Sequence, residues 1–176
     1  MTDLPPEGAA PSSAPQLRVL AQYVRDSSFE NPLAPQSLRS GQGSPQVQLG
    51  VDLGARKVAE DADEVSLRIR ATAKRDEETV FIAELLYAGV FQFNNIPDEQ
   101  RQPLLMIECP RLLFPFARQV LSDMTREGGF PPVMLEPIDF SVLYRQRLAQ
   151  QAQEGAGNGA AQGEGSDGGD NGPQAA

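Results

Sequence analysis

The chain has 176 residues, a formal net charge of −9, no histidine and one cysteine, Cys109. That is enough for one domain with a real core, while the acidity argues against nucleic acid, whose phosphates need clustered Lys and Arg. Without histidine, one chain cannot supply the usual zinc site, a Ser-His-Asp triad or a Cys-His pair, and a lone cysteine cannot form an intrachain disulfide.

The charge is unevenly placed. Residues 1–15 carry Asp3 and Glu7 and no base, and residues 153–176 carry Glu154, Glu164, Asp167 and Asp170 and no base. The middle of the chain therefore holds 18 acids against 15 bases, so the domain itself is nearly balanced. Residues 1–15 are rich in Pro, Ala and Ser, with little to bury, and are expected to be a disordered tail.

From residue 16 onward four strands are predicted. The first covers Leu17–Val24 and leads into a turn at Asp26–Pro32. In the second, Val47, Leu49, Val51 and Leu53 alternate with polar or small residues, a period of two. Val65, Leu67, Ile69 and Ala71 repeat the pattern in the third, and the charged run Lys74–Glu78 makes a hairpin connection to the fourth. The fourth, Thr79–Phe93, is apolar on both sides: Val80, Ile82, Leu86, Ala88 and Val90 on one, Phe81, Leu85, Tyr87, Phe91 and Phe93 on the other. Helices can cover one side of such a strand, so the other is expected to meet a second subunit. A sandwich within the chain is the alternative, for which four strands offer little material. Glu84 interrupts the first of these apolar rows. A buried unpaired carboxylate is costly, so it is either exposed at a docking site or paired with Arg68 or Arg70.

The helical half follows. Asp98–Glu108 reads as a short helix with Asp98 and Glu99 at its positive end and Pro103 complicating its middle. Arg111–Glu127 reads as a long helix, with Leu113, Phe116, Ala117, Val120, Leu121 and Met124 at helical spacing. Gly128-Gly129 closes it and Phe130-Pro131-Pro132 prevents its resumption. The stretch Cys109–Phe130 is more apolar than one small sheet requires, which suggests that part of it belongs to another subunit. Asp139 is placed to cap a last helix running to about Gln151, with Phe140, Leu143, Tyr144 and Leu148 on one face. Residues 153–176 hold eight of the sixteen glycines and are expected to be a flexible, solvated tail. Strands first and helices afterwards is an α+β pattern: a four-stranded antiparallel sheet followed by helices packed on one face. No apolar run reaches membrane-spanning length and no leader pattern opens the chain, so the expected location is the cytoplasm, without membrane insertion.

Several segments together resemble the bacterial protein-export chaperone family SecB. They are Tyr23–Pro32 (YVRDSSFENP), Glu78–Glu84 (ETVFIAE), Gly89-Val90-Phe91, Cys109–Arg118 (CPRLLFPFAR), Gly129-Phe130-Pro131 and Leu135–Phe140 (LEPIDF). The resemblance spans residues 16–152 in one register and leaves both tails unmatched. It implies a cytosolic holdase without ATPase activity, cofactor, metal or catalytic residue, which binds unfolded secretory precursors and delivers them to the export motor SecA. It also implies a homotetramer, built as a dimer of dimers through the long helices. By the same resemblance the precursor groove is lined by Val47, Leu49, Val51, Phe116, Tyr144 and Leu148. SecA's basic, zinc-bearing tail would dock on Asp26, Glu30, Ile82 and Glu84. Ala83, Leu85 and Tyr87 match positions that affect assembly, and Val120 and Met124 join them as interface residues on the long helix. Cys109, before a proline on an apolar helix with no base near it, reads as structural. Two other functions compete. One is a SecB-like chaperone dedicated to a single partner such as an antitoxin. The other is a small-molecule enzyme, which the missing histidines and the absence of a Gly-rich phosphate loop oppose.

Overall fold

The structure is a computed structural model that describes residues 14–159, so most of both expected tails lies outside the described residues. Four long strands form one antiparallel sheet in the order β1-β4-β3-β2, with β1 at Gln16–Glu30, β2 at Gln46–Lys57, β3 at Ala62–Arg75 and β4 at Glu78–Asn94. β3 and β4 are joined by the two-residue turn Asp76-Glu77, in which Asp76 takes the left-handed backbone (φ +53°) that an aspartate tolerates well. β1 and β2 are the two edges.

The first strand is longer than predicted. Asp26–Glu30 is not a turn but continues β1, pairing with Ile82–Leu86 of β4. Register shifts between Val19 and Ala21 and between Val24 and Asp26 make this possible, because each extra residue re-aims the side chains that follow. The polar run Asp26-Ser27-Ser28 resembles a turn by composition, yet its backbone is satisfied by the neighbouring strand.

Directly opposed residues of antiparallel strands point to the same side, so the register sorts the sheet into two faces. On the closed face, Val65, Leu67, Ile69, Ala71 and Ala73 of β3 lie beside Phe81, Ala83, Leu85, Tyr87 and Phe91 of β4, all buried. A continuous helical run covers them. It consists of α1 (Asp98–Pro103), a wider π-helical turn (Leu104–Glu108) and α2 (Cys109–Glu127), the last packing on β4 and β3. The predicted break between a short and a long helix is therefore absent. Pro103 cannot donate to the preceding turn, and the hydrogen-bond ladder resumes beyond it at π spacing. α2 buries a stripe repeating every four residues, Cys109, Leu113, Ala117, Leu121 and Thr125. It approaches so closely that a Cβ on Gly89 of β4 would stand 2.7 Å from Leu113 Cδ2. Pro110 follows directly on the π-helical turn, and Pro115 lies within the helix on its exposed side. Gly129, with φ +86°, ends the helical run in the left-handed conformation.

Ala83, Leu85 and Tyr87, expected at positions that affect assembly, lie on the closed face. Their side chains lie in the interior of the protomer, under its own helices, and present no free surface to a neighbour. β4 has odd-numbered residues facing the helices, so this row is core. Of the described residues, 14–140 form one compact unit and 141–159 a second. The second is helical: α3 (Phe140–Gly159) starts directly after Asp139 and runs eight residues beyond the predicted stop, through the helix formers Ala152 and Glu154.

Candidate functional site

The helices do not cover the whole closed face. α2 lies over β4 and β3, and the outermost strand β2 continues the same face beyond it. Val47, Leu49 and Val51 stand opposite Ala73, Ala71 and Ile69, so they share that face. Val47 and Leu49 are 39% and 50% exposed, whereas their neighbours on β3 are fully buried. The result is an apolar shelf on the part of β2 that α2 does not reach, while the π-helical turn touches the same strand. Phe116 is 52% exposed on α2, one turn from the exposed Leu112. Tyr144 and Leu148 share a face of α3, one turn apart, in the second unit, with Leu148 exposed.

A second apolar feature was not legible in the sequence. Residues 131–139 have no regular secondary structure and are tied to α2 by Val133 N–H, which donates to Thr125 Oγ1 at 2.9 Å, and by Ser122 Oγ–H, which donates to Met134 sulfur at 3.4 Å. Between this segment and α2 opens a cleft of about 580 Å³ lined by Phe114, Pro115, Arg118, Met134, Ile138 and Phe140. Met134 and Ile138 lack any period, so only the apolar content of an irregular segment could have signalled them.

Val120 and Met124 are half-buried on α2. With Ser27, Phe29 and Gly128 they line an open cleft of about 550 Å³ between α2 and β1. Phe29 also locks the end of β1 in place. Its ring packs 5.6 Å from Phe81 and 6.2 Å from Phe130, which is itself 4.8 Å from Phe81, and it fills the space over Gly128.

The opposite face of the sheet carries the charge. Glu30, Ile82 and Thr72 form one cross-strand row, Ser28, Glu84 and Arg70 the next, and Asp26, Leu86, Arg68 and Asp52 the third. The extension of β1 thus gathers Asp26, Glu30, Ile82 and Glu84 on one patch of the open face. Asp26 and Glu30 are exposed with no ion-pair partner among the described residues, whereas Glu84 is paired with Arg70 at 3.0 Å. Of the two environments open to Glu84, the structure combines both: it is partly exposed and it is paired.

Further along the same face lies a cluster that no local pattern announced. Glu64 of β3 is buried and accepts hydrogen bonds from Tyr23 Oη–H (2.5 Å) and Arg25 Nη1 (2.7 Å) of β1, and from Arg56 Nε and Nη2 (both 2.9 Å) of β2. Strand β4 lies between β1 and β3, so Tyr23 and Arg25 reach over it to Glu64. This explains why Ala88 is fully buried on the face opposite α2: part of the open face of β4 is covered by side chains of its own sheet. Chiefly the Arg56 hydrogen bonds, with help from Tyr23 and Arg25, hold the Glu64 carboxyl down at about 2. Burial pushes the Cys109 thiol up to about 12, the acids Asp63 and Glu108 adding to it. Asp63 is itself held by Arg101 of α1 at 2.6 Å, and that guanidinium stacks 5.0 Å over Phe93.

Comparison with known proteins agrees with this architecture. A family model described as preprotein translocase subunit SecB matches residues 10–151. A protein-export protein SecB of Maricaulis maris is 57% identical over 160 residues, covering 90% of this chain and 93% of its own. One from Rhodopseudomonas palustris is 52% identical over 151 residues, covering 86% and 94%. Among solved structures, a SecB-like chaperone of Mycobacterium tuberculosis in complex with an antitoxin peptide superposes with a TM-score of 0.58 at 16% identity, over 69% of this chain and 90% of that one. At that identity the likeness concerns the fold alone.

Proposed function

The chain belongs to the SecB family of protein-export chaperones, and from that premise we propose that the two faces of its sheet do different work: the closed side holds unfolded precursors and the open side docks SecA. The observation that carries this division is the register of β1 and β2. It leaves apolar side chains uncovered on one face and gathers three carboxylates on the other.

On the closed side, the shelf of Val47, Leu49 and Val51 and the exposed Phe116 offer apolar surface to chains whose shared property is exposed apolar segments, and Tyr144 and Leu148 on α3 offer an apolar strip of their own to the same chains. Burial of that kind stabilises by roughly 25 cal/mol per Å² whatever the sequence, so it suits clients that have no common motif. Many modest contacts along one client add through effective concentration, and holding the unfolded form favours it by mass action. No step of this requires ATP, a cofactor or a catalytic group, and the protein acts as a cytoplasmic holdase. The cleft under Met134 and Ile138 extends the apolar surface available to the same clients.

On the open side, Asp26, Glu30 and Glu84 flank the apolar contact Ile82, which fits a basic tail such as that of SecA. Assembly as a homotetramer uses other surfaces. β1 is a free edge with Val19, Leu20 and Val24 exposed, and Val120 and Met124 on α2 lie in the cleft beside it. Ala83, Leu85 and Tyr87 act on assembly only through the seating of α2. The dedicated-partner alternative has no feature of this chain in its favour. The docking assignment is tested by titrating SecA into wild type and Glu84→Gln across a salt series. Binding weakened by salt and by the substitution supports it, and binding indifferent to both removes it.

A further inference from the structure

Glu84 is the only one of the three carboxylates on the docking patch that is already neutralised. Arg70 stands directly opposite it across β3 and β4, and their ion pair measures 3.0 Å with side chains 56% and 34% exposed. Asp26 and Glu30 have no such partner among the described residues, and neither does Arg68, one row along the same face. A cationic segment laid across the patch therefore meets two open carboxylates and one that is occupied, with a guanidinium beside it.

We propose that Arg70 is an internal competitor for Glu84, a specificity-determining residue that a docking segment must displace before it can use all three carboxylates. The proposal rests on the reading that this patch docks a basic polypeptide segment. A partner with one cation engages Asp26 or Glu30 and gains little more, since Glu84 is taken and Arg70 repels. A partner with clustered cations competes successfully, and the released guanidinium turns to water, to which it is already half open. The occupied carboxylate thus discriminates between weakly and strongly basic segments.

The contribution of such an exposed pair is small, so the effect is a tuning of affinity. Replacing Arg70 by Gln removes both the competitor and a like charge next to the incoming cation. That should tighten binding of a synthetic peptide with the sequence of SecA's zinc-loaded C-terminal tail roughly three- to tenfold at low ionic strength, and by little at high salt. Arg70→Thr, which suits an exposed strand position, serves as a second variant. Arg68→Gln removes the same charge one row away without touching Glu84 and should change affinity much less.

Isothermal titration of this peptide into wild type, Arg70→Gln, Arg68→Gln, Glu84→Gln and the Arg70/Glu84 double variant separates the outcomes. Tighter binding for Arg70→Gln alone, abolished when Glu84 is also replaced, supports the competitor. Equal tightening by Arg68→Gln, or tightening that persists without Glu84, shows a general charge effect and overturns it. If Glu84→Gln weakens binding while Arg70→Gln leaves it unchanged, docking on the patch stands and the competitor falls. If neither replacement alters binding, the docking reading itself fails, and the competitor with it.

Discussion

Replacing Glu64 by Gln should cost far more stability than an ordinary change on a solvent-facing side of a sheet. Its carboxyl is held at about 2, against an ordinary value of 4.5, by Arg56, Tyr23 and Arg25. A difference of that size corresponds to roughly 3 kcal/mol of preference for the charged form in the folded protein. The sign follows from the depressed value: the contribution is complete above about pH 5 and is lost as pH falls through 4.5 toward 2. The arginines add little to the cost, because Arg25 and Arg56 remain 44% and 59% exposed and rehydrate once the carboxylate is gone. Tyr23 loses a charged acceptor, within the same total. Urea unfolding followed by circular dichroism, at fixed protein concentration so that subunit association is held constant, reads the difference between wild type and variant. The gap should be roughly 3 kcal/mol at pH 7 and about half of that at pH 3. A gap below about 1 kcal/mol at pH 7, or one that does not change with pH, would refute the electrostatic account of the cluster.

One substitution and one labelling experiment test the closed side. Phe81→Ala should destabilise by about 3–5 kcal/mol in the same unfolding experiment, since it removes the ring that Phe29 and Phe130 both pack against, and it should loosen the end of β1 that carries Glu30. A loss under 1 kcal/mol would mean the aromatic cluster closes up without it. Cys109 should resist thiol reagents in the folded protein at neutral pH and react at once in urea, because its thiol is buried and pushed up to about 12. Rapid stoichiometric labelling of the native protein would contradict that burial.

The repeating parts of the fold were legible because they obey short periods. Val47-Leu49-Val51 and Val65-Leu67-Ile69 alternate along single strands, and both the strands and their shared face follow from that. The length of β1 was not legible, since Asp26-Ser27-Ser28 has turn composition and only pairing with β4, more than fifty residues on, makes it a strand. The two faces of β4 follow from its alternation, whereas the burial of Ala83, Leu85 and Tyr87 beneath α2 does not. Which of two apolar rows is core depends on where α2 lies, and strand alternation does not contain that information. The Glu64 cluster joins residues 8, 39 and 41 positions apart on three strands, so no window of sequence displays it. A glutamate beginning an alternating apolar strand was its sole trace. The pairing of Glu84 was reduced to Arg68 or Arg70, and the register chose the one directly opposite. The patch Asp26, Glu30, Ile82 and Glu84 came from family resemblance, and the two shifts in β1 explain how these residues come to share a face.

The claim that the apolar shelf holds unfolded chains is tested most directly by light scattering from a denatured precursor diluted into buffer without nucleotide. Wild type is compared with the double variant Leu49→Gln/Tyr144→Gln, and the assembly state is measured on the same samples. Wild type should suppress aggregation near stoichiometric ratio, while the variant keeps its assembly and loses most of the suppression, because Leu49 is half exposed and its replacement leaves the core intact. Equal suppression by both proteins, or no suppression by wild type, would contradict the account.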